Sequence, residues 1–416
     1  MRLNHGLHLA YCTNVHHGET WRETFDSLKT HTLAVRKRVC PRAPFAIGLR
    51  LSHRAARELS ERAVLMDFQR WLGQNDCYVF TINGFPYGQF HGTRVKEQVY
   101  LPDWTSPERL GYTDLLFDLL AQILPAGVEG SVSTLPGSFK EFVAPASRRC
   151  VSAQTAAFEK FTGQTPVPLL KIIRENLWRC VEHIAELSER TKRTLHLGLE
   201  PEPLCLLENT AETMRFFDQV RDEHPRDPRL AEHLGVNYDT CHFAVEFEEP
   251  RTALSALTQH GIRISKIHLS SALKTRPTPE ARAALAKFDD DVYLHQVAAR
   301  DGTGKLKFYR DLPDALASPD ARPKTPDPIP PEWRIHFHVP LHAPTLSPFE
   351  DTNDHLLGAL DFLAANPKLC SHLEMETYTW EVLPPELKAR SVVEQLAAEY
   401  DWTLARLKER GLASNP

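Results

Sequence analysis

The sequence predicts an α/β protein whose strands close into a (β/α)8 barrel that carries a large insertion. Short apolar segments alternate with amphipathic helical segments eight times along the chain, which is the pattern of repeated βαβ units. The chain has 416 residues, whereas such a barrel needs about 250, so there is room for an insertion. Hydrophobic residues make up 42% and charged residues 25%, which is typical of a soluble globular chain and excludes collagen or coiled coil.

Eight strands follow one another in the predicted order. They span 7–15, 45–51, 78–82, 130–135, 195–199, 234–238, 264–269 and 370–376. Helical spacing of apolar residues predicts helices near 21–39, 55–72, 107–124 and 167–190. Strand–helix–strand connections are right-handed and make the strands parallel, and eight such strands close a barrel more readily than they form an open sheet.

Two longer segments interrupt this alternation. Residues 84–104 form an aromatic, glycine-containing loop after the third strand. Residues 272–341 lie between the seventh and eighth strands and contain a predicted β-hairpin over 292–308, a proline-rich connector at 322–331 and a His-x-His strand around 336–338. We therefore predict a single domain over 1–416 with residues 272–341 as its insertion.

Charge and apolar runs limit the classes of partner. Lys and Arg total 49 against 54 Asp and Glu, a net charge of -5, which gives no support for a nucleic-acid partner. No apolar stretch approaches the 18 or so residues that span a bilayer, and the first residues lack the apolar run of a signal peptide. The eight cysteines are isolated, which predicts reduced thiols. We expect a cytoplasmic protein that binds a small-molecule substrate and does not insert into a membrane.

Four consecutive predicted strands end in carboxylates or imidazoles, at the rim where a barrel carries its function. These residues are Glu200, Asp239, His242, His268, Glu374 and Glu376. Carboxylates that converge from several strands repel one another unless a cation is bound, and a mixed carboxylate and imidazole shell suits Mn, Zn, Fe or Co better than Ca. Glu374 and Glu376 share one face of their strand, so either is a candidate ligand.

The series of Glu200, Asp239, His268 and Glu376 resembles the metal site of the xylose-isomerase-like barrels. This superfamily includes ketose epimerases, sugar isomerases and AP endonucleases. The resemblance implies that these four residues bind one divalent metal, for which Mn, Zn, Mg or Co are the candidates. It also implies that His242, three residues after Asp239, contacts the substrate or a second metal.

Five short phrases resemble a narrower family, the metabolite traffic protein EboE family. They are YCTNVH at 11–16, NGFPYG at 83–88, YLPDW at 100–104, HFHVP at 336–340 and ETYTW at 376–380. The resemblance implies a role beside prenyltransferase-like and cyclase-like neighbours in making or moving a secondary-metabolite precursor. Protein partners from such a biosynthetic or export cluster are part of that expectation.

These residues support one leading hypothesis and two alternatives. The leading hypothesis is a metal-dependent isomerase or epimerase of a sugar or cyclitol, in which Glu200 and Glu376 exchange protons and His242 holds a substrate oxygen. The first alternative is a barrel that binds and hands over a metabolite without turnover. The second is metal-dependent hydrolysis of a phosphate ester, which is favoured if His336 and His338 join a second metal.

Further candidates have a structural alternative of similar weight. His336, His338, Glu202 and Glu374 are candidates for a second metal or for substrate contact, but each could equally be a hydrogen-bonded structural residue. The loop after the third strand offers aromatic rings and a cation that could stack on a ring and neutralise an anion, or it could pack against the rim. Its candidate residues are Phe85, His91, Lys96 and Trp104.

Overall fold

Eight parallel strands surround a common axis in the computed structural model, which describes residues 1–90, 94–143, 167–318, 331–343, 347–379 and 390–414. The barrel strands are β1 His8–Tyr11, β2 Phe45–Arg50, β3 Cys77–Asn83, β4 Gly130–Thr134, β5 Leu195–Leu199, β6 Leu234–Asp239, β7 Arg263–Leu269 and β13 His372–Met375. Their order is β1-β13-β7-β6-β5-β4-β3-β2. A parallel bridge between Cys12 and Gly48 links the two end strands, so the predicted barrel is confirmed.

The described residues contain fifteen α-helices, most of which surround the barrel. They are α1 Trp21–Ser27, α2 Leu33–Val39, α3 His53–Leu59, α4 Arg62–Gln74, α5 Pro107–Ile123, α6 Lys140–Val143, α7 Val167–Thr191, α8 Thr210–Glu223, α9 Arg229–His233, α10 Thr240–Val245, α11 Pro250–Gln259, α12 Pro279–Leu285, α13 Leu312–Ala317, α14 Asn353–Ala365 and α15 Val392–Glu409. The continuous helix predicted over 55–72 is two helices, because the chain leaves helical geometry at Glu61 (φ -61°, ψ 123°). No helix among the described residues is long and apolar enough to cross a membrane.

A second, antiparallel sheet lies between β7 and β13 in the chain. Its strands are β8 Leu273–Thr275, β9 Val297–Arg300, β10 Leu306–Tyr309, β11 Glu332–Ile335 and β12 Phe349–Asp351, in the order β10-β9-β11-β8-β12. Its own apolar core contains Leu285, Val297, Trp333 and Phe337. The description of 272–341 as an insertion within one domain stays a prediction, and its proline-rich connector falls almost wholly outside the described residues.

The residues predicted as a His-x-His strand follow β11 directly and lie outside it. The amide of His336 still donates to the carbonyl of Gln296 at 2.9 Å, but the next amide, that of Phe337, donates back to Ile335 at 2.8 Å. This tight turn ends the strand pairing. The amide of Val339 then donates to Ser271 at 2.9 Å, which holds the 336–339 segment against the end of β7.

The inside of the barrel is polar, whereas the layer between strands and helices is apolar. Lys266 on β7 reaches across the barrel to the Ser133 hydroxyl on β4 at 3.0 Å, and His372 on β13 reaches the Ser131 hydroxyl at 2.8 Å. All four side chains are buried. Because neither strand pair is adjacent in the sheet, these bonds cross the barrel interior, and they form the polar floor on which the functional rim stands.

Candidate metal centre

Four side chains meet at the carboxyl ends of neighbouring barrel strands. Glu200 follows β5, Asp239 ends β6, His268 is the penultimate residue of β7, and Glu376 follows β13. These strands are consecutive in the sheet, and the register places Asp239 directly opposite His268. Parallel strands present their carboxyl ends at one rim, which is why residues far apart in the sequence converge here.

The imidazole of His268 lies at the centre of this four-residue cluster. Its Nδ1 is 3.1 Å from Glu200 Oε1, 3.4 Å from Asp239 Oδ2 and 3.1 Å from Glu376 Oε2. One ligand atom from each of the four residues lies within 4.8 Å of the others, and all four side chains are buried. The spacing is that of donor atoms around a single small cation.

Three carboxylates in this cluster share one imidazole as their nearest basic group. Burial alone would raise the pKa of Asp239, but His242, His338 and His268 hold it well below its usual value. Burial would lower the pKa of His268, but Glu376 and the other carboxylates raise it well above its usual value. One imidazolium cannot neutralise three buried carboxylates, so the cluster has the charge that a divalent cation would balance.

In each carboxylate, one oxygen accepts hydrogen bonds from neighbouring residues and the other oxygen faces the cluster. The Asn14 and Asn83 amides donate to Glu376 Oε1 at 2.7 and 3.0 Å, and the Asn237 amide donates to Glu200 Oε2 at 2.8 Å. None of these asparagines was among the residues predicted for the site, although each lies within three residues of the carboxyl end of a strand. Carboxamides at strand ends, next to the acidic series, are the signal that could have found them.

Asp239 shows the same division between its two oxygens. Oδ1 accepts from the Cys241 amide at 2.7 Å and from the Ser270 hydroxyl at 2.6 Å, so the side chain caps α10. Oδ2 is buried and has no hydrogen-bond partner within the described part of the chain. A buried carboxylate oxygen without a donor is destabilising, and it points at the place where a cation fits.

The layer beneath the cluster distinguishes between the two glutamates of β13. Glu374 accepts from His268 Nε2 at 2.9 Å and from Lys266 Nζ at 2.5 Å, whereas Glu376 is the one beside Nδ1. Burial would raise the pKa of Glu374, but Lys266 and His268 lower it to about 2. Glu374 therefore keeps a proton on Nε2 of His268, so Nδ1 is the ring nitrogen that would give up its proton to bind a metal.

Glycine at position 48 provides the space that Glu374 occupies. A Cβ atom on Gly48 would lie 1.9 Å from Glu374 Oε1 and 2.7 Å from the carbonyl oxygen of Tyr11. The barrel seam at this point therefore admits no larger side chain without displacing the carboxylate beneath the cluster.

Three further imidazoles, which we call the histidine group, adjoin Asp239. They belong to His242, His336 and His338, and all are buried. The ring centres of His242 and His336 are 4.6 Å apart, and those of His242 and His338 are 5.5 Å apart. Glu202 lies next to His336 and accepts from the Tyr100 hydroxyl at 2.8 Å. The structure thus brings the predicted residues Glu202, His336 and His338 to the same rim as the cluster.

A cavity opens directly above the cluster. Glu200 and Glu376 reach its wall, whereas Asp239 and His268 do not. Its lining is mostly aromatic and aliphatic, and consists of Asn14, Asn83, Phe85, Pro86, Phe90, Val95, Lys96, Val99, Tyr100, Glu200, Glu202, His242, Tyr293, Leu294, His336, Glu376 and Tyr378. The two glutamates are therefore the members of the cluster that a substrate can reach.

The loop after β3 lines much of this cavity, but only some of the residues predicted for it are in the wall. Phe85 lines it, and so does Lys96, but the Lys96 ammonium is paired with Asp311 at 2.8 Å and with the Asp290 carbonyl at 2.7 Å. Trp104 is outside the lining and donates from Nε1 to Thr134 at 3.2 Å. His91 lies outside the described residues. Lys96 therefore joins the loop to the second sheet instead of presenting a free cation.

Comparison with known proteins identifies the fold. No family model and no curated protein matches the chain. A xylose isomerase-like TIM barrel protein from Mycobacterium smegmatis, solved in complex with magnesium, is 13% identical with a TM-score of 0.50 over 99% of both chains. A protein of Anabaena variabilis whose name proposes a sugar phosphate isomerase or epimerase is 13% identical with a TM-score of 0.50 over 97% of this chain and 98% of its own. The chain thus has the fold of the xylose-isomerase-like TIM barrels.

Proposed function

We propose that this protein is a metal-dependent isomerase or epimerase of a polyhydroxylated small molecule, such as a sugar or a cyclitol. One observation carries the proposal: the four-residue cluster has the donor set of a divalent metal site, and its members Glu200 and Glu376 line a cavity. Three carboxylates and one imidazole suit Mn, Zn, Mg or Co. Two features fit that assignment: Oδ2 of Asp239 has no hydrogen-bond partner among the described residues, and Nδ1 of His268 lies beside all three carboxylates.

The residues of the cluster divide into two roles in this proposal. Asp239 and His268 lie below the cavity and hold the cation, while Glu200 and Glu376 also face the substrate and can move a proton to or from its carbon. When bound, the cation supplies Lewis-acid polarisation of neighbouring substrate oxygens. Asn14 and Asn83 keep Glu376 Oε1 occupied, so Oε2 is the oxygen available for this exchange.

The EboE resemblance adds a context to the proposed reaction. Each of the five phrases that carry it contributes at least one residue to the cavity wall, among them Asn14, Phe85, Tyr100, His336 and Tyr378. A resemblance concentrated around one cavity supports a shared ligand, and we propose that the ligand is a secondary-metabolite precursor. The aromatic and aliphatic walls of the cavity favour a substrate that presents an apolar face as well as hydroxyl groups.

Metal content is the direct test of the proposed function. We expect purified protein to hold at least one divalent metal per chain, and a Glu200→Gln/Asp239→Asn double variant to lose it. At a metal concentration about 1,000 times the dissociation constant, binding should stabilise the wild type by about 4 kcal/mol and leave the double variant unchanged. Elemental analysis and thermal unfolding with and without chelator measure both effects.

A matched control separates metal binding from general damage. Glu399 is a buried carboxyl outside the cluster that accepts from the Thr377 hydroxyl at 2.8 Å and the Leu341 amide at 3.1 Å, so Glu399→Gln should keep full metal content. Retention of full metal content by the double variant would contradict the proposal. If metal is bound, incorporation of solvent deuterium into a panel of sugars and cyclitols, followed by NMR, tests the proton exchange itself.

A second candidate function is metal-dependent hydrolysis of a phosphate ester. The observation that favours it is the histidine group beside Asp239, because hydrolases of this kind use two or more cations a few ångströms apart. The number of metals bound per chain distinguishes this candidate from the isomerase.

A further inference from the structure

Glu202 places a buried carboxyl group in the wall of the cavity, outside the four-residue cluster. In the described part of the chain it forms no ion pair with a lysine or an arginine. Nδ1 of His336 lies 3.6 Å from its Oε1. A buried carboxylate is unstable unless a cation lies beside it. The cavity is the direction from which a ligand can bring a positive charge to this group.

One oxygen of Glu202 is already bound by a neighbour. The Gln296 NH2 group donates to the Pro203 carbonyl at 3.2 Å and to the Tyr100 hydroxyl oxygen at 2.9 Å. Because the Tyr100 oxygen accepts from Gln296, its own proton points to Glu202 Oε1, which is 2.8 Å away. The other oxygen, Oε2, has among the described residues only the weakly donating thiol of Cys205 at 4.0 Å. Oε2 is therefore the oxygen left for a ligand.

His336 adds a second hydrogen-bond acceptor to the same part of the wall. Since the Gln296 NH2 group points to Pro203, Oε1 of Gln296 faces His336 Nδ1 at 2.7 Å, and that nitrogen is the donor. Nε2 of His336 is then a lone pair, and it is buried without a hydrogen-bond partner in the described ranges of the chain. His336 also lines the cavity, so a ligand there can donate to it.

The two acceptors are close enough to bind one chemical group. Ligand atoms of Glu202, His242 and His336 lie within 4.8 Å of one another. A positive charge on His242 would be shared with Asp239, whose Oδ1 is 4.0 Å from His242 Nε2. A hydroxyl group has one proton to donate, whereas an ammonium group has three and brings the positive charge that Glu202 needs. An ammonium group therefore fits this part of the wall better than a hydroxyl group.

The rest of the wall favours a cation over an anion. Five aromatic residues line the cavity: Phe85, Phe90, Tyr100, Tyr293 and Tyr378. The face of an aromatic ring attracts a cation. Lys96 is the one lysine or arginine in the described lining, and its ammonium is paired with Asp311 at 2.8 Å. A phosphate group would meet no unpaired lysine or arginine in that lining.

We propose that Glu202 and His336 form a binding subsite for an ammonium group, so that the substrate of the isomerase is an amino sugar or an aminocyclitol. The inference rests on the proposed function and names its substrate class. Hydroxyl groups of the substrate would face Glu200 and Glu376, and its amino group would be bound by Glu202. Tyr100 is a positioning residue, because it holds Oε1 of Glu202 and leaves Oε2 for the ligand.

Three sugars that share one ring and differ in charge test the subsite. D-Glucosamine, D-glucose and D-glucose 6-phosphate are titrated into the purified protein at neutral pH, and isothermal titration calorimetry measures their dissociation constants. We expect glucosamine to bind about tenfold more tightly than glucose, which is the effect of one charge-assisted hydrogen bond. Glucose 6-phosphate should bind more weakly than glucose.

The Glu202→Gln variant removes the charge and keeps the shape of the side chain. We expect it to bind glucosamine about tenfold more weakly than the wild type does, with its glucose affinity and metal content retained. Glu399→Gln is the matched control, since Glu399 is buried outside the cavity lining, and it should prefer glucosamine as the wild type does. Circular dichroism checks that both variants are folded. If Glu202→Gln does not fold, the order in which the wild type binds the three sugars still tests the proposal.

The outcomes separate this inference from the proposed function, because metal content is measured independently. A preference for glucosamine that is lost in Glu202→Gln and kept in Glu399→Gln would support the subsite. Equal binding of glucosamine and glucose, tightest binding of glucose 6-phosphate, binding of none of the three, or a preference unchanged in Glu202→Gln would overturn it and leave the metal site intact. Loss of metal in Glu202→Gln would also overturn it, since Glu202 would then be a metal ligand. No bound metal in the wild type would overturn the proposed function together with the inference.

Discussion

The buried histidines at the two ends of the barrel have different neighbours. At the carboxyl end, the imidazole of His268 faces three carboxylates within 3.4 Å. At the amino end lie three others, which we call the lower histidines: His8, His196 and His372. His8 Nδ1 bonds the Tyr78 hydroxyl at 2.8 Å, His372 bonds Ser131 at 2.8 Å, and His196 bonds Ser265.

The difference shows that buried, unsatisfied imidazoles do not by themselves make a metal site. Nε2 of His196 and Nε2 of His372 also lack hydrogen-bond partners within the described residues. Yet Nδ1 of each lower histidine faces a hydroxyl group. Burial lowers the pKa of His8 and of His196 to about 4, so these two rings are neutral at pH 7. The carboxylates at the upper rim, and the several imidazoles next to them, distinguish the site that a cation would occupy.

Among single substitutions, we expect the largest effect on stability at Lys266, which lies below the four-residue cluster. Lys266→Met would leave Glu374 buried without its ammonium partner, and we expect the free energy of unfolding to fall by about 3–5 kcal/mol. Chemical denaturation at neutral pH measures this loss. A Lys266→Met/Glu374→Gln variant also removes the unpaired carboxylate and should recover part of the stability. Equal losses in the single and double variants would mean that packing, and not the charge pair, explains the effect.

We expect the folded protein to lose stability in acid because of His196, at the amino end of the barrel. Burial keeps the pKa of His196 at about 4, against 6.5 for an exposed imidazole. The unfolded chain therefore binds the extra proton between these values, so lowering the pH from 6.5 to 4 destabilises the native state by about 3 kcal/mol, with no effect above pH 7. Glu129, 3.6 Å from Nε2, opposes this shift, and Arg263 adds to it.

His196→Gln should remove this contribution. We expect the variant to be somewhat less stable than the wild type at pH 8, because the bond to Ser265 is changed, but to lose less stability on going to pH 4. Denaturation curves at several pH values measure the slope. Parallel pH profiles for the two proteins would show that His196 is not an acid-sensitive group.

A smaller effect is expected where the barrel seam makes room for Glu374. Gly48→Ala places a methyl group 1.9 Å from Glu374 Oε1 and 2.7 Å from a backbone oxygen, so one of them must move. Overpacking of this size costs about 1–3 kcal/mol. Because Glu374 orients His268, the variant should also bind Mn²⁺ more weakly, whereas Gly73→Ala, where an added Cβ meets nothing within 4 Å, should not. Unchanged affinity in Gly48→Ala would show that Glu374 is not needed to position the imidazole.

Much of the fold could be predicted because hydrophobic periodicity reports it directly. β5 spans Leu195–Leu199 as predicted, and β2, β4 and β6 differ by one residue at one end. The first strand was predicted over 7–15 but ends at Tyr11, since Thr13–Val15 form a 3-10 turn. Apolar runs locate strands, but the turns that end them depend on tertiary hydrogen bonds that no local pattern shows.

Part of the site could be predicted because the functional side chains of a barrel lie at the carboxyl ends of its strands. Glu200, Asp239, His268 and Glu376 meet as the sequence resemblance implies, although their binding of a metal remains a proposal. Spacing alone could not choose between Glu374 and Glu376, because they are two residues apart and project to the same side of the chain. The ion pair between Glu374 and Lys266 distinguishes them. Nor could it show that Lys96 is paired with Asp311, which is 215 residues away.

The delivery of His336 and His338 by a sheet outside the barrel has a consequence for how such a centre could change. The four-residue cluster is attached to barrel strands, whereas these two imidazoles follow β11, whose neighbours β8 and β9 are antiparallel to it. A shift in that small sheet would withdraw two donors and leave the first four untouched. Remodelling the smaller sheet would therefore change the imidazoles beside the cavity without altering the barrel strands that hold the four-residue cluster.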